Sequence, residues 1–173
     1  MKIAALLIAL QAFSGPSVRT ITDPITDKTR VAAAWTADRD VLYIACDKAK
    51  SEVLVGFFGP SAHFGKTGIV TATWPLIYRF DKGEVVTETW WHDGDASHTV
   101  GAKQTADFIR LASAGKQLTI RAEPSPWSRD RDVVDLQFML GDAKPAIAEV
   151  LRACPSSKVS GLLPELTQAA SNP

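Results

Sequence analysis

The amino-acid sequence predicts an α+β fold, in which an antiparallel β-sheet or curled β-sandwich has two helices packed on it. Strand-like apolar segments bounded by turn signals occupy much of 30–91. Helical periodicity appears only later, in residues 102–114 and 142–154. The 173 residues are 46% hydrophobic, which suffices for one domain with its own core. This order of elements favours helices packed on an antiparallel sheet.

Seven strands follow from the apolar patterns and from the turn signals between them. In the second strand the period of two places Leu42, Ile44 and Cys46 on one face and Val41, Tyr43 and Ala45 on the other. Lys82-Gly83 is interpreted as a two-residue hairpin turn, and the polar residues 92–101 are expected to be irregular. The predicted strands are Val31–Ala37, Val41–Asp47, Ser51–Phe58, Pro75–Asp81, Glu84–Trp91, Gln117–Ala122 and Val133–Leu140.

Two helices complete the predicted domain. The first covers Ala102–Ala114 and is expected to stop at Gly115. The second begins after Asp142, which is expected to act as its N-cap, and ends before Pro155. Its apolar stripe faces the sheet, which is what a helix packed on a sheet requires.

Both ends of the chain are expected to lie outside this domain. Residues 1–15 combine the basic Lys2, a short apolar run and small residues, which is the pattern of a secretory signal peptide. A buried N-terminal helix or strand is the alternative. A single α+β domain is expected over residues 16–155, followed by a flexible tail over 156–173. A short docking helix within that tail is left open by its leucines, Leu162, Leu163 and Leu166.

The signal peptide predicts a protein of the periplasm or one secreted by the cell, with no stable membrane insertion after cleavage. No apolar run approaches the roughly 20 residues that a membrane-spanning helix needs. The chain has 19 basic and 19 acidic residues and no net charge, and the loss of Lys2 leaves 18 − 19 = −1. This balance argues against a nucleic-acid binder with a broad basic surface.

The two cysteines, Cys46 and Cys154, are too few for a disulfide-rich miniprotein or a four-cysteine zinc site. Each falls on the apolar side of its predicted element, one on a strand and one at the end of the last helix. In an exported protein this arrangement predicts a structural disulfide between them. A catalytic thiol is the weaker alternative, because the sequence has no C-x-x-C motif.

The sequence contains no motif of a known catalytic or nucleotide-binding site. It lacks G-x-S-x-G, G-x-G-x-x-G and the P-loop pattern. A metal site would most plausibly use the His and Asp side chains of one loop, but their spacing matches neither zinc nor calcium patterns. These residues are His92, Asp93, Asp95 and His98. We therefore expect a non-enzyme without cofactor or metal, while paired carboxylates of a glycan hydrolase are not excluded by sequence.

Two groups of residues are candidates for binding a partner. In the segment Tyr78-Arg79-Phe80-Asp81, Arg79 and Asp81 share one strand face, so Arg79 binds an anionic partner or forms an ion pair within the sheet. In Trp90-Trp91-His92-Asp93 only one of the two tryptophans can enter the core, and Trp90 is expected to be the exposed one. The candidate partner-binding residues are Arg79, Asp81, Trp90, Trp91 and His92.

The order of these motifs resembles that of a known family. A D-P-I-T-D segment at 23–27 precedes the Cys46 strand, the Y-R-F-D segment, the tryptophan pair, a D-F-I-x-L helix at 107–111 and a final helix ending in Ala-Cys. Over residues 20–155 this order is similar to the type VI secretion-associated periplasmic family named TagO or VasI. Its members share a DP-x-TD start, an RxD strand, a Trp-x-x-Ser-type step and two well-separated cysteines. Here His92-Asp93-Gly94 stands where the family has its Ser.

The resemblance implies a non-catalytic accessory protein of the bacterial envelope that acts by protein–protein interaction. The partner would be another envelope protein of unknown identity. An alternative function is an envelope inhibitor or stress protein, such as a lysozyme-inhibitor-like or invasion-associated module. A hydrolase of cell-wall glycan is the less favoured alternative.

Overall fold

The computed structural model describes residues 16–22, 28–59, 72–93, 96–122 and 133–168. The predicted signal peptide and the D-P-I-T-D segment at 23–27 lie outside these residues. The strands are β1 (Ser17–Thr22), β2 (Thr29–Ala37), β3 (Asp40–Asp47), β4 (Glu52–Phe58), β5 (Ala72–Phe80), β6 (Val86–Asp93), β7 (Ala96–His98), β8 (Gln117–Ala122) and β9 (Val134–Met139). The helices are α1 (Ala102–Ala114), α2 (Lys144–Arg152) and α3 (Leu163–Gln168), the last preceded by a 3₁₀ turn over Ser160–Leu162.

Within the described residues, nine antiparallel strands form one sheet in the order β1-β2-β3-β4-β7-β6-β5-β8-β9. The sheet is curled, so that β2 and β9 approach each other from opposite ends of the strand order. The indole N–H of Trp35 in β2 donates to the carbonyl of Leu140, just past β9, at 3.0 Å. The α+β class with a curled antiparallel sheet is confirmed. In the described part of the chain, no helix is long and apolar enough to span a membrane.

Seven of the nine strands in the described residues were predicted from the sequence, and β1 and β7 were missed. β1 (Ser17–Thr22) pairs along its whole length with β2 at one edge of the sheet. β7 (Ala96–His98) falls in the segment that was expected to be irregular, and it bridges β4 and β6. Three residues are too few to show a period of two, so its pairing partners define β7 rather than its own pattern.

An aromatic cluster fills the space between α1 and the inward face of the sheet. Phe108 of α1 lies with ring centroids 5.2–5.6 Å from Phe80, Tyr78 and Trp90. The Trp90 ring also lies 5.4 Å from that of Phe57 in β4. All five side chains are buried. Tilted and edge-to-face rings at these distances add to the stabilisation that comes from burying their area.

The connection between β5 and β6 is longer than the predicted two-residue turn. β5 ends at Phe80 and β6 begins at Val86. Asp81 begins the connection with φ +50°. Its carboxylate accepts the backbone N–H groups of Lys116 and Gln117 at 2.9–3.3 Å. Asp81 therefore holds the start of β8 next to the end of β5 through these hydrogen bonds.

The first helix is confirmed over Ala102–Ala114, with Gly115 following it. In the second helix the N-cap residue is Ala143 rather than Asp142, and no side chain caps it. Asp142 still accepts the N–H of Lys144 at 3.3 Å. The predicted cap is therefore wrong by one position.

The expectation of a flexible tail over 156–173 is corrected for residues up to 168. The 3₁₀ turn and α3 occupy Ser160–Gln168, and Val159, Leu162 and Leu166 are buried in the main core. The apolar spacing of these residues was the signal for the docking helix that the sequence left open. Burial of three large aliphatic side chains outweighs the turn-forming composition around them.

The predicted disulfide is confirmed. Cys46 in β3 and Cys154, just past α2, are bonded, with their Cα atoms 5.8 Å apart and a sequence separation of 108. It fixes the end of α2, and with it the segment leading to α3, to the end of β3. A cross-link that closes so long a loop stabilises the fold by roughly 4–5 kcal/mol in the chain-entropy account.

Candidate partner-binding face

The face of the sheet that points away from the helices divides into two parts. On β2, β3 and β4 it carries a buried apolar cluster. On β6, β5, β8 and β9 it is largely exposed, and we call this part the outward face. The cluster on β2–β4 consists of Ala32, Ala34, Val41, Tyr43 and Ala45, with Leu54 packed against it.

Strand register places the outward face in rows that cross all four strands. In one row Ile77 of β5 pairs with Thr87 of β6 and with Arg121 of β8, and Arg121 pairs with Asp135 of β9. Thr87, Arg121 and Asp135 are exposed, and Ile77 is half-buried. The face is therefore a continuous surface of mixed apolar and charged side chains.

Exposed apolar side chains concentrate on this face. Six large hydrophobic side chains are exposed in the described residues. Four of them belong to the outward face, because they lie in β6 or β9 or directly precede these strands in the same alternation: Val85, Trp91, Val133 and Met139. Apolar residues scattered singly over a surface need no explanation, but a group of them on one face is typical of an interaction site.

The tryptophan prediction is wrong in its choice of residue. Trp90 is fully buried in the aromatic cluster, whereas Trp91 is 37% exposed and points outward. The Trp91 ring stacks on the imidazole of His98 in β7, with centroids 6.4 Å apart and planes inclined by 24°. Trp91 therefore presents a fixed aromatic surface at one end of the outward face, and Trp90 cannot contact a partner.

His92 also turns away from the outward face. It is 5% exposed, and its Nε2–H donates to the carbonyl of Trp74 at 3.1 Å. Burial lowers the pKa of His92 below its ordinary value, although the hydrogen bond to Trp74 acts in the opposite direction. The predicted partner contact by His92 is therefore corrected to a buried position in the core.

Arg79 lies on the outward face in the row next to Ile77, and its side chain is exposed. The ion pair with Asp135 is made by Arg121, whose Nε and Nη2 donate to the two carboxylate oxygens at 2.8 Å each. Both arginines lower the pKa of Asp135, Arg121 most strongly through its hydrogen bond. Among the described residues Arg79 makes no ion pair of its own, so its guanidinium is available to an anionic group.

A polar network at the rim of the aromatic cluster was not found by sequence reasoning. The Tyr78 hydroxyl donates to Glu88 at 2.8 Å, and the Gln104 amide of α1 donates to the same carboxylate and to the carbonyl of Thr89. Burial raises the pKa of Tyr78, and the hydrogen bond to Glu88 adds to this effect. The network attaches α1 to β6.

The described residues contain no group of three or more His, Cys, Asp or Glu side chains that could hold a metal ion. Both cysteines are joined in the disulfide. Of the five candidate residues, the structure brings Arg79 and Trp91 onto the outward face and assigns Asp81, Trp90 and His92 to internal contacts.

The comparisons with known proteins find similarity only at the level of solved structures. No protein-family model and no curated protein matches the chain. The crystal structure of invasion associated protein B from Bartonella henselae is similar with a TM-score of 0.49 and 13% sequence identity. The similarity covers 81% of this chain and 95% of that chain.

Proposed function

We propose that this protein is a non-catalytic accessory protein of the bacterial cell envelope, and that it binds another envelope protein through its outward face. The observation that carries the proposal is the concentration of exposed apolar side chains on that face, beside the available guanidinium of Arg79. Interfaces commonly combine an aromatic anchor with arginine and a rim of polar side chains.

Trp91 is the expected anchor of this interface. Its ring is held by the stack on His98, so little side-chain freedom is lost when a partner covers it. Arg79 would select a partner with a carboxylate at the facing position, because an arginine and a carboxylate can form two parallel hydrogen bonds. On the two strands beside β5, Thr87 lies opposite Ile77 and Thr119 lies opposite Arg79, so each offers a hydroxyl group on the same face.

The periplasm is the proposed location, because the signal-like N-terminal residues and the disulfide both suit an oxidising compartment outside the cytoplasm. The order of motifs that resembles the type VI secretion-associated family supports a role in that secretion system. His92 and Asp93, where this chain departs from the family pattern, are the last two residues of β6, away from Arg79 in β5.

Deletion of the gene, followed by complementation, tests the proposal. We expect the deletion to lower type VI secretion and the wild-type gene to restore it. Trp91→Ala is expected to restore it poorly, because the anchor is lost while the fold is kept. Leu111→Ala is the matched control, since Leu111 is 40% exposed against 37% for Trp91 but lies on α1.

Unchanged secretion in the deletion strain would contradict the type VI role. Equal complementation by both variants would contradict the interface itself. The inhibitor alternative has its own assay, in which purified protein is added to a lysozyme and the residual muramidase activity is measured. Clearing of cell-wall preparations by the purified protein would instead support the hydrolase alternative.

A further inference from the structure

A cleft lies on the helical side of the molecule, formed by residues that do not belong to the outward face. The end of α1, the start of β8, α2 and α3 border a cleft of about 700 Å³. We call it the helix cleft. Cavities of this size are in the range that holds a drug-sized ligand or a few residues of peptide.

Three cations border the helix cleft against one carboxylate. Lys116 stands at the α1–β8 connection, and Lys144 and Arg152 are the first and last residues of α2. None of these three cations forms an ion pair with any of the residues that the structure describes. Asp142 is the only acidic side chain of the described lining, and one of its oxygens already accepts the Lys144 N–H. The cleft therefore favours an anionic occupant.

The floor of the cleft is apolar between the cations. Lys144, Ala148 and Arg152 follow one another at intervals of four residues and so lie along one side of α2. Ala148 and Leu166 are buried and line the cleft from α2 and α3. Ala148 therefore lies midway between the two charged residues of α2.

The spacing of the two cations on α2 indicates the form of the occupant. Eight residues of helix separate Lys144 from Arg152, which corresponds to about 12 Å along the axis. Two acidic groups held at a similar spacing can each meet one of the two cations. In an extended peptide, side chains four residues apart point the same way and lie about 13 Å apart, with the residue midway between them on the same side.

We propose that the helix cleft binds an extended acidic peptide segment of the pattern acid-x-apolar-x-acid, belonging to a partner protein. The two acidic side chains meet Lys144 and Arg152, and the apolar side chain between them lies on Ala148 and Leu166. Lys116 contacts the peptide from the opposite side. A membrane surface is disfavoured, because none of the exposed large hydrophobic side chains of the described residues lines this cleft.

The test is an NMR titration of the ¹⁵N-labelled protein with acetyl-ESLSE-amide. We expect the amide signals of Gly115 and Gly141, which line the cleft, to shift in a saturable manner. Three control peptides separate the contributions: ESGSE lacks the apolar side chain, QSLSQ lacks the charges and KSLSK reverses them. We expect weaker binding by the first two and none by the third.

Protein variants then identify the site. Exposed charge pairs contribute modestly, so we expect Lys144→Gln and Arg152→Gln each to weaken binding about two- to fivefold. The double variant should weaken it at least fourfold. Lys82→Gln, which removes an exposed lysine from the β5–β6 connection, should leave binding unchanged. Ala114→Trp should block the cleft without changing its charge, since Ala114 is exposed and lines it.

Three results would overturn the proposal: no saturable shift with ESLSE, equal shifts with KSLSK, or binding that Lys144→Gln and Arg152→Gln leave intact. A further arm adds vesicles containing an anionic phospholipid. Binding to these vesicles without binding to ESLSE would identify a membrane as the occupant and would equally overturn the proposal. The outcome does not depend on the outward face, because none of these variants changes a residue of that face.

Discussion

The two parts of the sheet surface that points away from the helices differ in what covers them. On β2–β4 the cluster around Tyr43 is buried, so β3 is closed to solvent on both faces. On β6, β5, β8 and β9 the equivalent surface is exposed and carries Trp91, Val85 and Met139. Substitutions in the first part should therefore lower stability, whereas substitutions in the second should lower partner binding at nearly unchanged stability.

The largest effect on stability is expected from removing the disulfide between Cys46 in β3 and Cys154. Replacing Cys46 and Cys154 together by alanine should lower the free energy of unfolding by about 4 kcal/mol, because the unfolded chain loses a cross-link over 108 residues. Urea unfolding of the oxidised protein and of the variant measures the difference. Adding a thiol reductant should destabilise the wild type to a similar extent and leave the variant unchanged. A wild type that is insensitive to reduction would contradict this account.

Gly56 should give the next largest effect, because it lies under the Tyr43 ring. A Cβ at this position would lie 2.5 Å from the Tyr43 hydroxyl and 2.7 Å from the carbonyl oxygen of Ser97. We expect Gly56→Ala to cost roughly 1–3 kcal/mol in thermal or urea unfolding. Gly101→Ala is the control, since a Cβ there meets no atom within 4 Å. Equal stability of the two variants would show that the outer side of β4 is not packed as described.

Acidification should destabilise the protein through His92. Burial lowers its pKa in the folded state, so the unfolded state binds the proton more readily. The sign follows from linkage: stability is present above the unfolded pKa of about 6.5 and decreases as the pH falls below it. Urea unfolding at several pH values between 7.5 and 5 measures the slope.

Two variants assign this slope to one side chain. His92→Gln should flatten the dependence, while His98→Gln keeps His92, removes only the minor repulsion from His98 and should keep most of the slope. A dependence that survives in His92→Gln would show that another group binds the proton.

The smallest effect on stability is expected on the outward face. Val85→Ser and Met139→Ser replace side chains that are 62% and 69% exposed. Each should change the free energy of unfolding by no more than about 0.5 kcal/mol, because exposed positions contribute little to folding. A loss of 2 kcal/mol or more at either position would contradict the contrast between the two parts of the sheet.

The strand faces that follow a clear period of two could be predicted from the sequence, and so could the disulfide. In β3 the faces are assigned correctly: Leu42 lies in the main core, and Tyr43 lies in the cluster on the opposite face. The helix over Ala102–Ala114 was also predicted, because its apolar stripe has the helical period and a glycine follows it.

The error over Trp90 and Trp91 has an identifiable cause. Glu88 shares a strand face with Trp90, and a glutamate indicates a solvent-facing side when a strand is considered alone. In the structure that glutamate is oriented inward, where Tyr78 and Gln104 donate hydrogen bonds to it. These partners come from β5 and α1, so the local sequence of β6 contains no sign of them. The residues of the helix cleft escaped notice for a similar reason, because Lys116 and Arg152 border the same cleft only in the folded chain.

The central claim is that the outward face binds a partner, and site-specific photocrosslinking in living cells tests it most directly. A photoreactive amino acid would replace Thr87 or Thr119 on the outward face, and Lys103 on the exposed side of α1 as the control. We predict the same partner-dependent crosslinked band from both outward positions, its loss when Trp91→Ala is added, and no such band from the control. An identical band from the Lys103 position, or none from Thr87 and Thr119, would contradict the claim.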